Sequence, residues 1–244
     1  MGLPDPNDVT AYDESLVKIT IGAPQPLTGR IEIRDYDPTW PESYAREAER
    51  IRGVLGGRVV RLEHAGSTSV PGLPAKPVID IVLEVPDSSD EPAYVPDMQE
   101  AGYFLRIREA DWFQHRLFKG PNTNINLHVF SAGCTETDRM VLFRNWLRSY
   151  DADRDLYARA KRELASRNWK YVQQYADAKT AVVTDIMTRA QLHPSSPAGS
   201  VTVKARRSYF PALSAESEAD NDAERTWRLV HAGADAPLCP PPSP

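Results

Sequence analysis

An apolar run, Val78-Ile-Asp-Ile-Val-Leu-Glu-Val85, carries a carboxylate at its third position, and it restricts the folding of this chain more sharply than any other stretch. Its length and β-branched content are those of a buried strand. A lone carboxylate taken out of water costs several kcal/mol or more unless a hydrogen-bond donor, a cation or a metal ion meets it. Asp80 therefore requires a site around it. The segment ahead, His64-Ala-Gly-Ser-Thr-Ser-Val-Pro-Gly-Leu-Pro-Ala-Lys-Pro77, supplies the material. Gly66 permits close backbone approach, while Ser67, Thr68 and Ser69 offer hydroxyls and N–H groups able to hold phosphate oxygens. Pro71, Pro74 and Pro77 stiffen the passage from loop to strand.

Gly66-Ser67, a spacer of twelve residues and then Asp80 on an apolar strand resemble the signature of the nucleotidyltransferase superfamily. The longer text, Gly66-Ser-Thr-Ser-Val-Pro-Gly-Leu-x-Ala-Lys76-Pro-x-Ile-Asp80, more specifically resembles the GrpB family within it. That resemblance spans about residues 31–190 and begins at Ile31-Glu-Ile-Arg-Asp-Tyr-Asp-Pro-Thr-Trp-Pro41. It implies an α+β, nucleotidyltransferase-like fold in which a mixed β-sheet is flanked by helices. Residues 1–30 then form an N-terminal extension and 191–244 a Pro-rich, partly disordered C-terminal one.

The activity so implied is transfer of a nucleotidyl group from ATP or another nucleoside triphosphate, with Mg²⁺, to a small-molecule acceptor. Adenylylation that activates a carboxylate for ligation is the related form. In this expectation the Gly66, Ser67, Thr68 and Ser69 loop cradles phosphate and Lys76 and Arg116 offset its charge. Asp80 holds the metal, and His128 serves as second ligand or as base. Lys179 lies where Asp177-Ala-Lys179 resembles the end of the family pattern and is added to the nucleotide-binding set. The alternative is a catalytically silent nucleotide-binding or scaffold module of the same fold.

A departure from the superfamily pattern bears on that choice. Paired acids at i and i+2 on a strand share one face about 6–7 Å apart, close enough to share divalent ions. Here position 82 is valine. Glu84 shares the face but lies roughly 13 Å along the strand.

Composition sets the outer bounds. Charged residues make up 26% and hydrophobic ones 41%, as in ordinary soluble proteins, and a formal net charge of -5 gives no global reason to expect nucleic acid. No apolar run is long enough to span a membrane and no basic start precedes an apolar segment, so the expectation is a cytoplasmic protein without membrane partners. Cys134 and Cys239 are too far apart in sequence, and the second too deep in a Pro-rich tail, to suggest a disulfide framework.

Along the rest of the chain, Leu16-Val-Lys-Ile-Thr-Ile21 alternates as an added strand would, as do Ile31–Arg34 and Val59–His64. The spacing of Tyr44, Ala48, Ile51 and Leu55 predicts a helix from about Pro41 to Leu55, ended at Gly56-Gly57. A second helix is expected at about 94–101 and a strand at 103–108. In Trp112-Phe-Gln-His-Arg116, Arg116 reads equally as a phosphate-binding guanidinium and as a surface strand residue. Asn124-Ile-Asn-Leu-His-Val-Phe130 has a strand's period, with Asn124, Asn126, His128 and Phe130 on one face. From 138 to about 190 the text is helical, with Met140, Phe143, Trp146 and Leu147 on one face and Leu156, Ala160, Leu164 and Arg167 on the next. The cations of this region, Lys161 among them, read mostly as a solvated face with a minority turned inward. Tyr171, Tyr175 and Lys179 lie four apart, a spacing that suits either helix packing or a nucleotide's flank.

Overall fold

The structure, a computed structural model, describes residues 9–193. The expected short elements at 201–205 and 224–230, with Cys239 and the tail, lie outside those residues. Seven α-helices and five strands follow in order: α1 Val9–Ile19, α2 Trp40–Leu55, β1 Arg61–Ala65, β2 Ile79–Val85, α3 Val95–Glu100, β3 Phe104–Glu109, β4 His115–Lys119, β5 Ile125–Ser131, α4 Thr135–Ser149, α5 Asp151–Ala165, α6 Val172–Asp177 and α7 Thr180–Leu192. The strands form one sheet in the order β1-β2-β5-β4-β3. β2 and β5 run parallel and the other neighbours antiparallel, giving an α+β fold with a mixed sheet flanked by helices.

Strand alternation sorts β2 into two environments. Ile79, Ile81, Leu83 and Val85 join Ile125, Leu127 and Val129 beneath α2 and α3, where Ile51, Leu55 and Met98 close the main core. Each side chain of that size, fully buried, contributes about 1.5–3 kcal/mol. Asp80, Val82 and Glu84 share the other face with Asn126, His128 and Phe130. Val82 and Phe130 pack there with Trp112 and with Met140 of α4. All seven residues of β2 are buried, because the sheet interior is covered on both sides. Asp80 thus occupies the position its sequence context demands, a charge inside the fold.

Helices α4, α5 and α7 build a second core with Val70 and Leu73 of the 66–77 segment, packed against Phe143, Trp146, Leu147, Tyr157, Val183 and Ile186. This contact pins the loop between sheet and helices. Asp153 ties the same layer together: its Oδ2 accepts from Trp146 Nε1 at 2.7 Å, and Arg189 donates to its Oδ1 at 2.8 Å. Asp153→Ala leaves the buried Trp146 indole N–H without its acceptor while Arg189 keeps Asp185 at 2.8 Å, and we expect a loss of about 1–3 kcal/mol, read from the urea midpoint against wild type. An unchanged midpoint would show that the pair contributes nothing to docking α7.

Three expectations need correction. Residues 16–19 belong to helix α1, and only Thr20 and Ile21 adopt the added-strand role, Ile21 N donating to Arg106 O at 2.8 Å. The preceding residues continue one helix, and that local cooperativity outweighs a short alternation. Ile31–Arg34 makes a single bridge, Arg34 with Ala75, while Ile31 packs against Leu164, Val172 and Tyr175. On α5 the buried stripe is Tyr157, Ala158, Lys161, Leu164 and Ala165 rather than one through Leu156, Ala160 and Arg167. The helix is turned so that a lysine enters the interior.

Candidate functional site

β1 ends at Ala65, directly opposite Asp80 in the antiparallel register. The chain then turns through Gly66, at φ 63° and ψ -172°, a conformation that L residues with a Cβ rarely adopt. A Cβ at this position would stand 2.1 Å from Asp80 Oδ2, so the turn and the carboxylate are packed back to back. A short 3₁₀ turn, Ser67–Ser69, follows.

Asp80 is met from the neighbouring strand. Its Oδ1 accepts from Asn126 Nδ2 at 2.7 Å, and Asn126 Oδ1 accepts in turn from Lys119 Nζ at 2.6 Å. Burial pushes the Asp80 carboxyl up to about 6, opposed by the Asn126 hydrogen bond and by the charges of Lys76, Lys179 and Lys119. At neutral pH it is mainly ionised.

A cavity of about 30 Å³ opens beside it, lined by Ser67, Thr68, Lys76, Asp80, Asn126, Lys161, Tyr175 and Lys179, among others. Such a volume admits one small polar group or a water or two. Lys161 reaches it from α5 and donates to Ser67 Oγ at 2.9 Å and to the Pro74 carbonyl. Lys179, 2% exposed, holds its ammonium 4.7 Å from the Tyr175 ring centroid, and Lys76 approaches the same ring at 6.0 Å. Burial pushes Lys161 and Lys179 well below the usual lysine range, and for Lys179 the neighbouring Lys76 and Lys161 add to that. An entering anion favours the charged form of each. The Tyr175 hydroxyl is buried with no hydrogen-bond partner among the described residues.

Of the expected residues, Gly66, Ser67, Thr68, Lys76, Asp80 and Lys179 converge here. Ser69 does not: its hydroxyl donates back to Gly66 O at 2.6 Å, and its carbonyl accepts from Arg148. Arg116 does not either. It lies opposite Val129, on the α2 side of the sheet, and donates to Glu91 Oε1 at 2.5 Å, so the surface-strand alternative is also superseded by a buried ion pair.

His128 shares the face of Asp80, but the residue opposite Asp80 is Asn126 and the residue opposite His128 is Val82. The imidazole lies about 6–7 Å further along the sheet and is not among the residues lining the cavity. It is engaged elsewhere. Glu109 Oε2 accepts from His115 Nδ1 at 2.9 Å, and His115 Nε2 lies 3.1 Å from His128 Nδ1. A carboxylate acceptor fixes the His115 proton on Nδ1, which makes His128 Nδ1 the donor and leaves its Nε2 a lone pair without a described partner. The expected Asp80/His128 ligand pair is therefore not assembled.

Lys161, Asn126 and Tyr175 complete the site. Only Tyr175 carried a sequence signal of its own, through its spacing with Tyr171 and Lys179. Lys161 was one cation of a charged helix, and Asn126 one of several polar residues on a strand.

Among the described residues no all-protein Mg²⁺ site is assembled. Asp80 is the single carboxylate lining the cavity, and no group of three His, Cys, Asp or Glu side chains with ligand spacing occurs among the described residues. Glu84 is spent at the far end of the strand, accepting from Gly133 N at 3.1 Å and lying 3.6 Å from Arg61.

A family model described as GrpB protein matches residues 30–189. A UPF0157 protein of Halalkalibacterium halodurans is 57% identical over 184 residues, covering 75% of this chain and 94% of that protein. A dephospho-CoA kinase of Mycobacterium tuberculosis is 27% identical over 180 residues, which cover 63% of this chain and 44% of the kinase. The crystal structure of GrpB from Enterococcus faecalis superposes with a TM-score of 0.60 at 28% identity, over 67% of this chain and 99% of that one. Among the described residues no helix is long and apolar enough to cross a membrane.

Proposed function

The chain belongs to the GrpB family, and for this member we propose that the cavity beside Asp80 binds the phosphate end of a nucleotide-type small molecule. One observation carries the reading: Lys76, Lys161 and Lys179 line a single cavity with one carboxylate and with the hydroxyl-bearing turn at Ser67 and Thr68. Lys161 and Lys179 are buried and Lys76 half-buried; ammonium groups gathered in this way are costly without an anion, and a phosphate supplies both the charge and the acceptor oxygens. The cavity holds no more than the phosphate; the remainder of the ligand extends from its mouth. Similarity to part of a protein named as a kinase agrees with a phosphate-bearing ligand.

In this reading Lys161 fixes Ser67, Lys76 and Lys179 meet the phosphate oxygens, and Asp80 balances their charge. Nucleotidyl transfer to a small acceptor, or adenylylation of a carboxylate, is the second reading. The Gly66 turn packed on Asp80 favours it, since that pairing of loop and acid is what the superfamily resemblance implies for transfer.

Calorimetry with ATP, CTP, GTP and UTP tests the first reading. We expect at least one to bind, and Lys76→Met to weaken it about tenfold, the equivalent of about 1.4 kcal/mol. Absence of heat with every nucleotide, with or without Mg²⁺, would refute it. Release of pyrophosphate in the presence of an amino acid or nucleoside acceptor would establish transfer instead of binding alone.

A further inference from the structure

We propose that the positive charge facing the bound phosphate at this site is protein ammonium, chiefly Lys179 with Lys76, and that no divalent cation takes part in ligand binding. The inference rests on the phosphate-binding reading above and adds what that reading leaves open, the identity of the counter-charge.

The geometry argues for it from three directions. The first is the state of the carboxylate. A divalent ion held by one side chain needs at least one oxygen turned toward it, with several further oxygens completing its shell. Asp80 Oδ1 is occupied by Asn126 Nδ2 at 2.7 Å, and Oδ2 is packed against Gly66, close enough that a Cβ there would come within 2.1 Å. Asp80 is thereby held to the sheet through one oxygen and set close against the turn through the other, so the cavity it lines receives a carboxylate already partnered by Asn126.

The second is the disposition of cations. Lys179 comes from the residue that opens α7 and Lys76 from the segment leading into β2, and both flank the Tyr175 ring, at 4.7 and 6.0 Å. A metal ion beside Asp80 would sit among like charges, whereas a phosphate would sit among opposite ones.

The third separates the lysines by role. Lys161 is committed to Ser67 Oγ and the Pro74 carbonyl and so holds the loop. The Lys179 ammonium has no described hydrogen bond to protein; the Tyr175 ring and the charges of Asp80 and Asp177 are its described partners. Its three donors point to an acceptor that a ligand brings. A lysine in this position does what a metal does in a two-carboxylate site, neutralising phosphate oxygens without needing acidic ligands of its own.

The test uses the full chain and inorganic pyrophosphate as probe, with ADP as a second probe, titrated by calorimetry in EDTA and then in excess MgCl₂. Mn²⁺ alone is titrated by water proton relaxation. Expected are binding in EDTA within about twofold of that in Mg²⁺, no bound Mn²⁺, at least a tenfold loss in Lys179→Met and a smaller loss in Lys179→Arg. Binding seen only with the divalent ion, or Mn²⁺ binding abolished by Asp80→Asn, would overturn the proposal. The comparison of EDTA with Mg²⁺ is made on the wild-type chain, so it stands even where a variant fails to fold. If neither probe binds under either condition, the phosphate-binding reading itself falls and takes this inference with it; dependence on Mg²⁺ removes the inference alone.

Discussion

Gly66→Ala is expected to cost the fold on the order of 3–5 kcal/mol, a large fraction of the roughly 5–15 kcal/mol that keeps a typical domain folded. Two effects add. Position 66 holds φ at 63°, where a Cβ is strained by about 1–2 kcal/mol. The added methyl would also stand 2.1 Å from Asp80 Oδ2 and 2.8 Å from its Cβ and Cγ. Both partners are held: the turn is pinned at Val70 and Leu73 by the helical core, and Asp80 is paired on both sides, with Ala65 of β1 and Asn126 of β5. Guanidinium titration followed by circular dichroism measures the loss. Adding Asp80→Ala removes the contacts at Oδ2 and Cγ but not the one at Cβ, so the double variant should recover part of the loss and not all of it. A Gly66→Ala protein as stable as wild type would mean that loop and strand are not packed as described.

The second large effect is acid sensitivity above the range where carboxylates titrate. His64, stacked on Tyr44 at 4.7 Å and held by Thr68, is kept neutral by burial, which pushes it down to about 3, with Arg148 and Arg144 adding to the shift. His128 is displaced in the same direction by burial and by its neighbours His115 and Lys119. In the unfolded chain both imidazoles take up protons near pH 6.5. Groups depressed in the native state confer stability that is complete above pH 6.5 and is lost as the pH falls toward their native values. Asp80 acts oppositely: raised to about 6, it favours the native state more as pH falls from 6 toward 4. Between pH 7 and pH 5 His64 removes about 2 kcal/mol and Asp80 returns about 1, and the buried His128 and His115 add to the loss in the same direction. Denaturation midpoints at the two pH values measure it, and His64→Phe should recover about 2 kcal/mol of the difference. A flat profile would show that the imidazoles are charged in the native protein.

Much of this fold is written locally. The periods of residues 41–55, 78–85, 124–130 and 138–149 correspond to α2, β2, β5 and α4, because each is an apolar pattern long enough to outvote its neighbours. The shorter alternations at 16–21 and 31–34 did not become strands, since a strand exists only where a second one offers it partners. Within the site, the turn at Gly66 and the acid at 80 were legible as a glycine-rich segment and a charge in an apolar run. The place of the imidazole depends on strand register, which sequence does not carry. Asn126 and His128 occupy the same face of one strand, and nothing in their spacing says which of them stands opposite Asp80. Lys161 was hidden for a related reason: its partner Ser67 is 94 residues away, and on its own helix it looks like any solvated cation.

What the sequence determined by itself was that residue 80 must be buried beside a turn only glycine allows, and so must be answered by polar partners. Which partners answer it was decided by the parallel pairing of β2 with β5 and by the docking of α5, α6 and α7 onto the loop. Those are contacts between residues tens of positions apart, and the free energy that selects them comes from packing whole faces together. Local propensity cannot encode that choice, and so an amide and three lysines, rather than an imidazole and a second acid, surround the carboxylate.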